Sequence, residues 1–373
     1  MSHQESNGRD VQLMLRDGLA HEKAENWEDA LEFWSGCIEQ FPNEIAFHLR
    51  QGRAALRARK PDQVFSSIRV ARKLDKKRQH CETLDGLQAR AEKLQVSLYR
   101  IRAIEAFEAK DYELARKNFA DLALAVPDHP WAETRGIQAA GLSPMFAQRL
   151  AEQLPLVSQR IFLTGCGRSG TWLMAAMLQC IPDIRKVHRE SSLGSFLTMP
   201  NEAKIHLVKR PHDAYLHFDR IPPDIKVLHV IRHPFDVLCS RHLKTERYIS
   251  MMRLEAEHSA FFLHLVDRPN THIVKYEDMV LHSAEVQSKV EEFLGVNSGR
   301  PFSEFYRATH MEDYVTDAMH GLRPLDASAL HRWRTNKAEQ EYLKDQIKLS
   351  DGTLKRFAQY WQYDLSLGPQ KEP

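Results

Sequence analysis

Two hydrophobic periodicities divide the chain. Over the first 140 residues, apolar positions recur at helical spacing, without strand-like runs and without a glycine-rich loop. An internal repeat lies in this region. Trp27, Ala30, Trp34, Ile38, Phe41 and Pro42 return at identical spacing as Tyr112, Ala115, Phe119, Ala123, Val126 and Pro127, an offset of 85. A weaker copy starts at Pro61, 34 residues after Trp27, and continues through Val64, Ile68 and Arg72. An aromatic residue, a small one three later and a bulky one four beyond that share one helix face. The small residue admits a close neighbour, and the proline stops the helix. The character changes at Gly141-Leu142-Ser143-Pro144, which predicts a linker or helix break. A short helix over Met145–Leu154 leads into continuous apolar runs that alternate with helical patterns. Strands are expected at Ile161–Thr164, Ile205–Val208, Lys226–Ile231 and His272–Lys275, with helices at Gly170–Ile181, Phe235–Ile249 and Ala284–Leu294. Unbroken apolar strands predict a parallel sheet covered on both faces. The expected organisation is an all-α domain over residues 1–143 followed by an α/β domain over residues 144–373.

Composition narrows the class. The chain has 373 residues, 43 % hydrophobic and 27 % charged, with 16 Gly and 17 Pro, which excludes collagen-like, disordered and mini-protein chains. The longest strongly apolar stretch, Trp172 to Ile181, is well short of the roughly 18 residues that read as a membrane span. The N-terminal MSHQESNGRD lacks the apolar core of a signal peptide. Five unclustered cysteines fit a reducing compartment and argue against a disulfide framework or a zinc site, so a cytoplasmic location is expected. A net charge of +2 argues against nucleic acid as a partner. The charge is uneven, however: nine Lys/Arg fall between Arg57 and Arg78, against Asp62 and Asp75. This run reads either as a solvated helix face or as a docking patch for an acidic partner. The 34-residue period and its helical grammar, over residues 10 to 140, resemble the tetratricopeptide repeat. That resemblance implies stacked helical hairpins with a groove for a protein partner or a large acidic acceptor.

The segment Thr164 to Trp172, TGCGRSGTW, follows a buried strand and opens a helix. In that context backbone amides and a helix N-terminus can hold a phosphate. Gly165, Gly167 and Gly170 let the backbone curl around an anion, Arg168 adds a bidentate fork, and Ser169 and Thr171 offer hydroxyls. A Walker A loop would place Lys at 171 and Ser or Thr at 172, where this chain has Thr171 and Trp172. The missing lysine disfavours ATP or GTP hydrolysis.

A second motif lies downstream. In KVLHVIRHPFDVLCS a strand ends at Arg232 and Ser240 follows eight residues later in the expected helix. Pro234 and Asp236 suit that helix's first turn. Arg232 and Ser240 can therefore converge on one anion. Together the two motifs resemble the sulfotransferases that use 3′-phosphoadenosine 5′-phosphosulfate (PAPS), in particular the repeat-containing bacterial and tyrosylprotein branches. The resemblance spans Arg160 to about Tyr363 and implies a P-loop-like fold. It implies that Gly167, Arg168, Ser169, Gly170, Thr171 and Trp172 grip the 5′-phosphosulfate, and that Arg232 and Ser240 bind the 3′-phosphate. It further implies that Lys209, at a strand end, faces the transferring group beside Arg168. Lys275-Tyr276-Glu277-Asp278 matches a mainly structural element, and His331-Arg332-Trp333-Arg334 a lid that brings Arg332 over the cofactor.

Sulfuryl transfer to a hydroxyl needs a general base. Glu190, 22 residues after Arg168, lies near the position of the glutamate used in the tyrosylprotein branch; His212 and His188 are the alternatives. PAPS is the expected co-substrate, with no metal. The partner is an acceptor with a free hydroxyl, whether glycan, lipid, natural product or peptide tyrosine. The rival readings are a P-loop nucleotide kinase or NTPase, and a non-catalytic repeat scaffold. The first requires an aspartate where the strand instead ends in Arg232; the second predicts damaged cofactor motifs, and both motifs are intact.

Overall fold

The computed structural model describes residues 3–152, 159–186, 190–199, 204–210, 212–242, 246–308 and 321–367. It separates into two compact units, Met1–Gly136 and Ile137–Pro373. The division falls inside a helix, ahead of the Gly141–Pro144 break marked by the sequence.

The first unit is helical: α1 (His3–Lys23), α2 (Trp27–Gln40), α3 (Ile45–Arg57), α4 (Pro61–Leu74), α5 (Cys81–Glu108), α6 (Tyr112–Ala125) and the start of α7 (Ala132–Leu142). Helices adjacent in sequence pack as antiparallel neighbours across short turns, α1 on α2, α3 on α4 and α5 on α6. The repeat supplies the packed face. Ala30, Trp34, Val64, Ile68, Ala115 and Phe119 are all buried, whereas Arg72 of the weak copy is exposed and pairs with Asp85 at 2.7 Å. Gly18 of α1 lets Trp34 in: a Cβ there would stand 2.2 Å from the indole Cη2. At the α4–α5 corner Arg69, Lys73, Lys76, Lys77 and Arg78 are exposed. The buried Asp75 carboxylate is consumed by the turn, accepting the Gln79 and His80 amides at 2.9 and 2.8 Å.

The second unit continues with α8 (Phe146–Glu152), β1 (Gln159–Gly165), α9 (Thr171–Met177), β2 (Ile184–Lys186), β3 (Ile205–Lys209) and β4 (Ile225–Ile231). Then come α10 (Pro234–Cys239), β5 (Arg241–His242), β6 (Glu246–Arg247), α11 (Met251–His264), β7 (Thr271–Lys275) and α12 (Tyr276–Leu281). Helices α13 (Ser283–Leu294), α14 (Phe305–Ala308), α15 (Lys337–Lys348) and α16 (Thr353–Trp361) complete it. Five strands form one all-parallel sheet in the order β2-β3-β1-β4-β7. Both faces are covered, as the unbroken apolar strands predict. Ile161 and Leu163 of β1 join Leu228, Val230, Met174 and Val290 on one side; Phe162 joins Val208, Val227, Phe218 and Phe261 on the other. The strand order reverses between β1 and β4, so the chain leaves their carboxyl ends in opposite directions. A crevice at such a switch point is where open α/β sheets bind ligands.

Several elements differ from expectation. The helix expected over Phe235–Ile249 ends at Cys239, and the chain turns into the antiparallel pair β5–β6. The pair is pinned by Glu339 of α15, which accepts from Arg241 at 3.0 Å and Arg247 at 2.6 Å. The helix after β1 is α-helical only to Met177, then closes with one 3₁₀ turn over Leu178–Cys180. Helix α11, capped by Ser250, and the three-residue strand β2 have no counterpart in the hydrophobic pattern. Among the described residues no helix is long and apolar enough to cross a membrane.

Candidate active site

The loop between β1 and α9 is shaped by positions where a side chain cannot fit. Gly165 has φ +147°, and a Cβ there would lie 2.3 Å from the Val230 carbonyl oxygen on β4. Gly170, at φ +100°, caps α9 and sits so close to Tyr276 that a Cβ would come within 2.3 Å of the ring. Arg168 at the apex has φ +71°, a left-handed backbone that non-glycine residues rarely adopt. The amides of the first α9 turn have no side-chain cap.

The loop and the end of β4 meet over the switch point. Arg168 Nε donates to Ser240 Oγ at 2.8 Å, and Arg232 Nη1 donates to the Arg168 carbonyl at 3.1 Å. The Arg232 guanidinium lies 4.2 Å from the centre of the Tyr276 ring, and its Nε is buried without a hydrogen-bond partner. Burial and the neighbouring Arg232 charge push the Arg168 pKa below its ordinary value. Two guanidinium groups held this close favour an anion between them. Ser240 corrects one expectation: it is the C-cap of α10, with extended φ −70° and ψ 133°, not a helical residue.

A cleft of about 480 Å³ opens from this point. Its lining includes Arg168, Gly170, Thr171, Trp172, Arg232, Ser240 and Arg332 from the sequence-based set, and it adds Tyr276, Phe305 and Arg323. The three carboxylates on its wall are already engaged, Asp326 by the Ser328 amide at 2.9 Å. Glu339 holds Arg241 and Arg247, while Asp236 accepts the His331 amide at 3.1 Å and meets His331 Nδ1 at 2.9 Å. Burial opposes ionisation of Asp236, but the His331 bond and the Arg232 charge outweigh it and hold the carboxyl below its usual range. The cationic guanidinium groups therefore dominate the field inside the cleft. His233, Asp236 and His331 place three metal-ligand atoms within 4.8 Å. Both His233 nitrogens are engaged, however: Nδ1 accepts from the Phe235 amide at 3.2 Å, and Nε2 meets the Asp364 carbonyl at 3.0 Å. The group is a clasp tying His331 to α10.

The other expected residues lie outside the cleft lining. Gly167 packs on Tyr248 and Ile249. Ser169 is buried, and its side chain faces a small cavity beneath the loop, among Cys166, His229, Glu257 and His258. Lys209, also buried, donates to Glu190 Oε1 at 2.8 Å and stands 3.5 Å above the centre of the Trp172 ring. Its immediate partner is thus the candidate base. His212 is bound to Tyr248 instead, with Nδ1 to Oη at 2.6 Å. His188 lies outside the described residues. The sequence reading missed Tyr248 and Arg323 and took Tyr276 as structural. Tyr276 had a signal, its place directly after β7; Tyr248 follows β6, a two-residue strand with no hydrophobic pattern.

No family model matches the chain, and no curated protein matches it. Among solved structures it is similar to the sulfotransferase domain from the Synechococcus PCC 7002 olefin synthase, with 17 % sequence identity and a TM-score of 0.40. That match covers 56 % of this chain and 95 % of that one.

Proposed function

We propose that this chain transfers a sulfuryl group from PAPS to an acceptor hydroxyl. The observation that carries the proposal is the convergence of Arg168, Arg232 and Ser240, from motifs 64 residues apart, at the mouth of one cation-dominated cleft. The residues suit a nucleotide bearing two separate phosphates. The unpartnered Arg232 Nε offers a donor to one, and the uncapped amides of the first α9 turn offer donors to the other. Bound PAPS would supply the sulfuryl group and leave as 3′-phosphoadenosine 5′-phosphate. In this reading Arg232 and Ser240 hold the 3′-phosphate, Tyr276 keeps Arg232 in place, and Arg332 adds a further cation to the cleft. Arg168 and Thr171 lie on the loop side and stabilise charge on the 5′ end. Glu190 accepts the acceptor proton, and Lys209, seated over the Trp172 ring, positions Glu190. The segment through residues 1–143 is proposed as a tetratricopeptide-like domain that receives the acceptor or a partner.

Ligand-dependent thermal stability tests the proposal. 3′-Phosphoadenosine 5′-phosphate should stabilise the protein by about 2.7 kcal/mol at a hundredfold excess over its dissociation constant, and ATP by much less. Arg232→Ala should remove most of that difference. Equal shifts with the two nucleotides would sink the assignment.

A further inference from the structure

An aromatic pair joins the loop carrying Arg168 to the chain leaving β3. Tyr248 lies against Gly167, where an added Cβ would meet its Cε1 at 3.1 Å. Its hydroxyl oxygen stands 2.6 Å from His212 Nδ1, and the two ring centroids are 5.7 Å apart. Arg253, in the first turn of α11, donates to the His212 carbonyl and brings Nη1 to 3.5 Å from the same Nδ1. Arg253 is itself held by the buried Glu257, Nε to Oε1 at 3.0 Å. A guanidinium donates hydrogen bonds and accepts none. A proton on His212 Nδ1 would point into those guanidinium hydrogens, whereas a lone pair there receives both Tyr248 and Arg253. The remaining charged groups around the ring are Arg210, Asp213 and Glu190. Asp213 is already committed to Arg210, at 2.5 and 2.8 Å. Burial and Arg253 push the imidazole pKa below its ordinary value, so the ring is neutral at pH 7. Its one proton then belongs on Nε2.

We infer that Tyr248 is a positioning residue that, together with Arg253, holds His212 in the Nε2–H tautomer, so that His212 acts as a hydrogen-bond donor to an anionic oxygen and proton removal falls to Glu190. The role in transfer rests on the sulfotransferase reading; the tautomer does not. As a donor, His212 would strengthen a bond to a substrate oxygen as negative charge grows there, without losing its proton.

Histidine-selective ¹⁵N labelling of the full chain reads the tautomer, with the His212 signal identified by its loss in His212→Gln. The expected spectrum has Nδ1 unprotonated and Nε2 protonated, moving toward a mixture of tautomers in Tyr248→Phe. In turnover, Tyr248→Phe should lower kcat by about tenfold with the KM for the sulfuryl donor unchanged. His212→Gln, which keeps a donor, should lose about tenfold less activity than His212→Ala and keep the acidic limb of the pH–rate profile. A protonated Nδ1 in the wild-type protein overturns the inference whatever the activity. His212→Gln as inactive as His212→Ala, with the acidic limb gone, makes His212 the base and overturns its role as donor. The Nε2–H tautomer without any sulfuryl transfer overturns the functional reading and the donor role together, leaving only the positioning.

Discussion

Arg232 illustrates how a single side chain is made into a binding element. Its guanidinium is stacked on Tyr276 and donates to the Arg168 carbonyl, so its orientation is fixed before any ligand arrives. Lysine keeps the charge but has neither the plane to stack nor the fixed fork of separate donor nitrogens. Arg232→Lys should therefore lose nearly as much 3′-phosphoadenosine 5′-phosphate affinity as Arg232→Ala, measured by calorimetry. A lysine variant that binds like wild type would reduce Arg232 to a point charge. Glu190 has the opposite character, half-buried and paired with a buried ammonium. Glu190→Gln preserves shape but cannot accept a proton. Turnover should fall by about 10²–10⁴ while nucleotide binding survives. Near-normal turnover, with collapse in His212→Ala, would move the base to His212.

The segment from Gly321 to Asn336, which lines much of the cleft, is anchored through Leu322, Leu325, His331, Trp333 and Arg334. His331 adopts φ +54° and is tied to α10 through Asp236, while Trp333 is buried beside Phe235 and His233. Asp236→Ala removes both the Nδ1 contact and the acceptor for the His331 amide. Amide exchange over residues 321–336 should accelerate by at least about tenfold, since a lost buried charged bond costs about 1.5–3 kcal/mol. Unchanged protection would mean that the other anchors hold the segment. In the helical unit the comparable anchor is Trp34 against Gly18. Trp34→Ala should lower stability by about 3–5 kcal/mol in denaturant titrations, the range for an aromatic lost from a packed core.

Across the α/β unit, burial also sets the response to acid. His217 and His233 are pushed down to about 4, and His229 and His258 to about 3, chiefly by desolvation. Each is neutral in the native state but takes up a proton near its ordinary value when unfolded. The stability it contributes is complete above pH 6.5 and is lost as pH falls toward its folded value. Glu257 opposes them. Burial raises it to about 7, so its own contribution is present below about 4.5 and is lost as pH rises through 7. Four histidines against one glutamate leave a net steepness of about 4 kcal/mol per pH unit between pH 6.5 and 4.5, at about 1.4 kcal/mol per proton. Urea midpoints measured from pH 8 to 5 should fall sharply below 6.5; a flat profile would contradict the burial of these rings.

Much of this was legible along the chain. The repeat of Trp34 and Phe119, the parallel sheet, the loop around Arg168 and the presence of Arg232 and Ser240 on one cleft follow from local rules of periodicity, glycine tolerance and spacing. Such rules act over one or two turns of chain, where the polymer has few alternatives. The contacts that choose among partners have no such signature. Lys209 meets Glu190 rather than the cleft, Ser169 faces inward, Ser240 ends its helix, and Tyr248, after β6, reaches Gly167 and His212. Lys209–Glu190 and Tyr248–Gly167 join residues 19 and 81 positions apart, brought together by the sheet and its coverings. Their geometry follows from which surfaces remain to be filled once the core has packed, and that is a property of the folded chain alone.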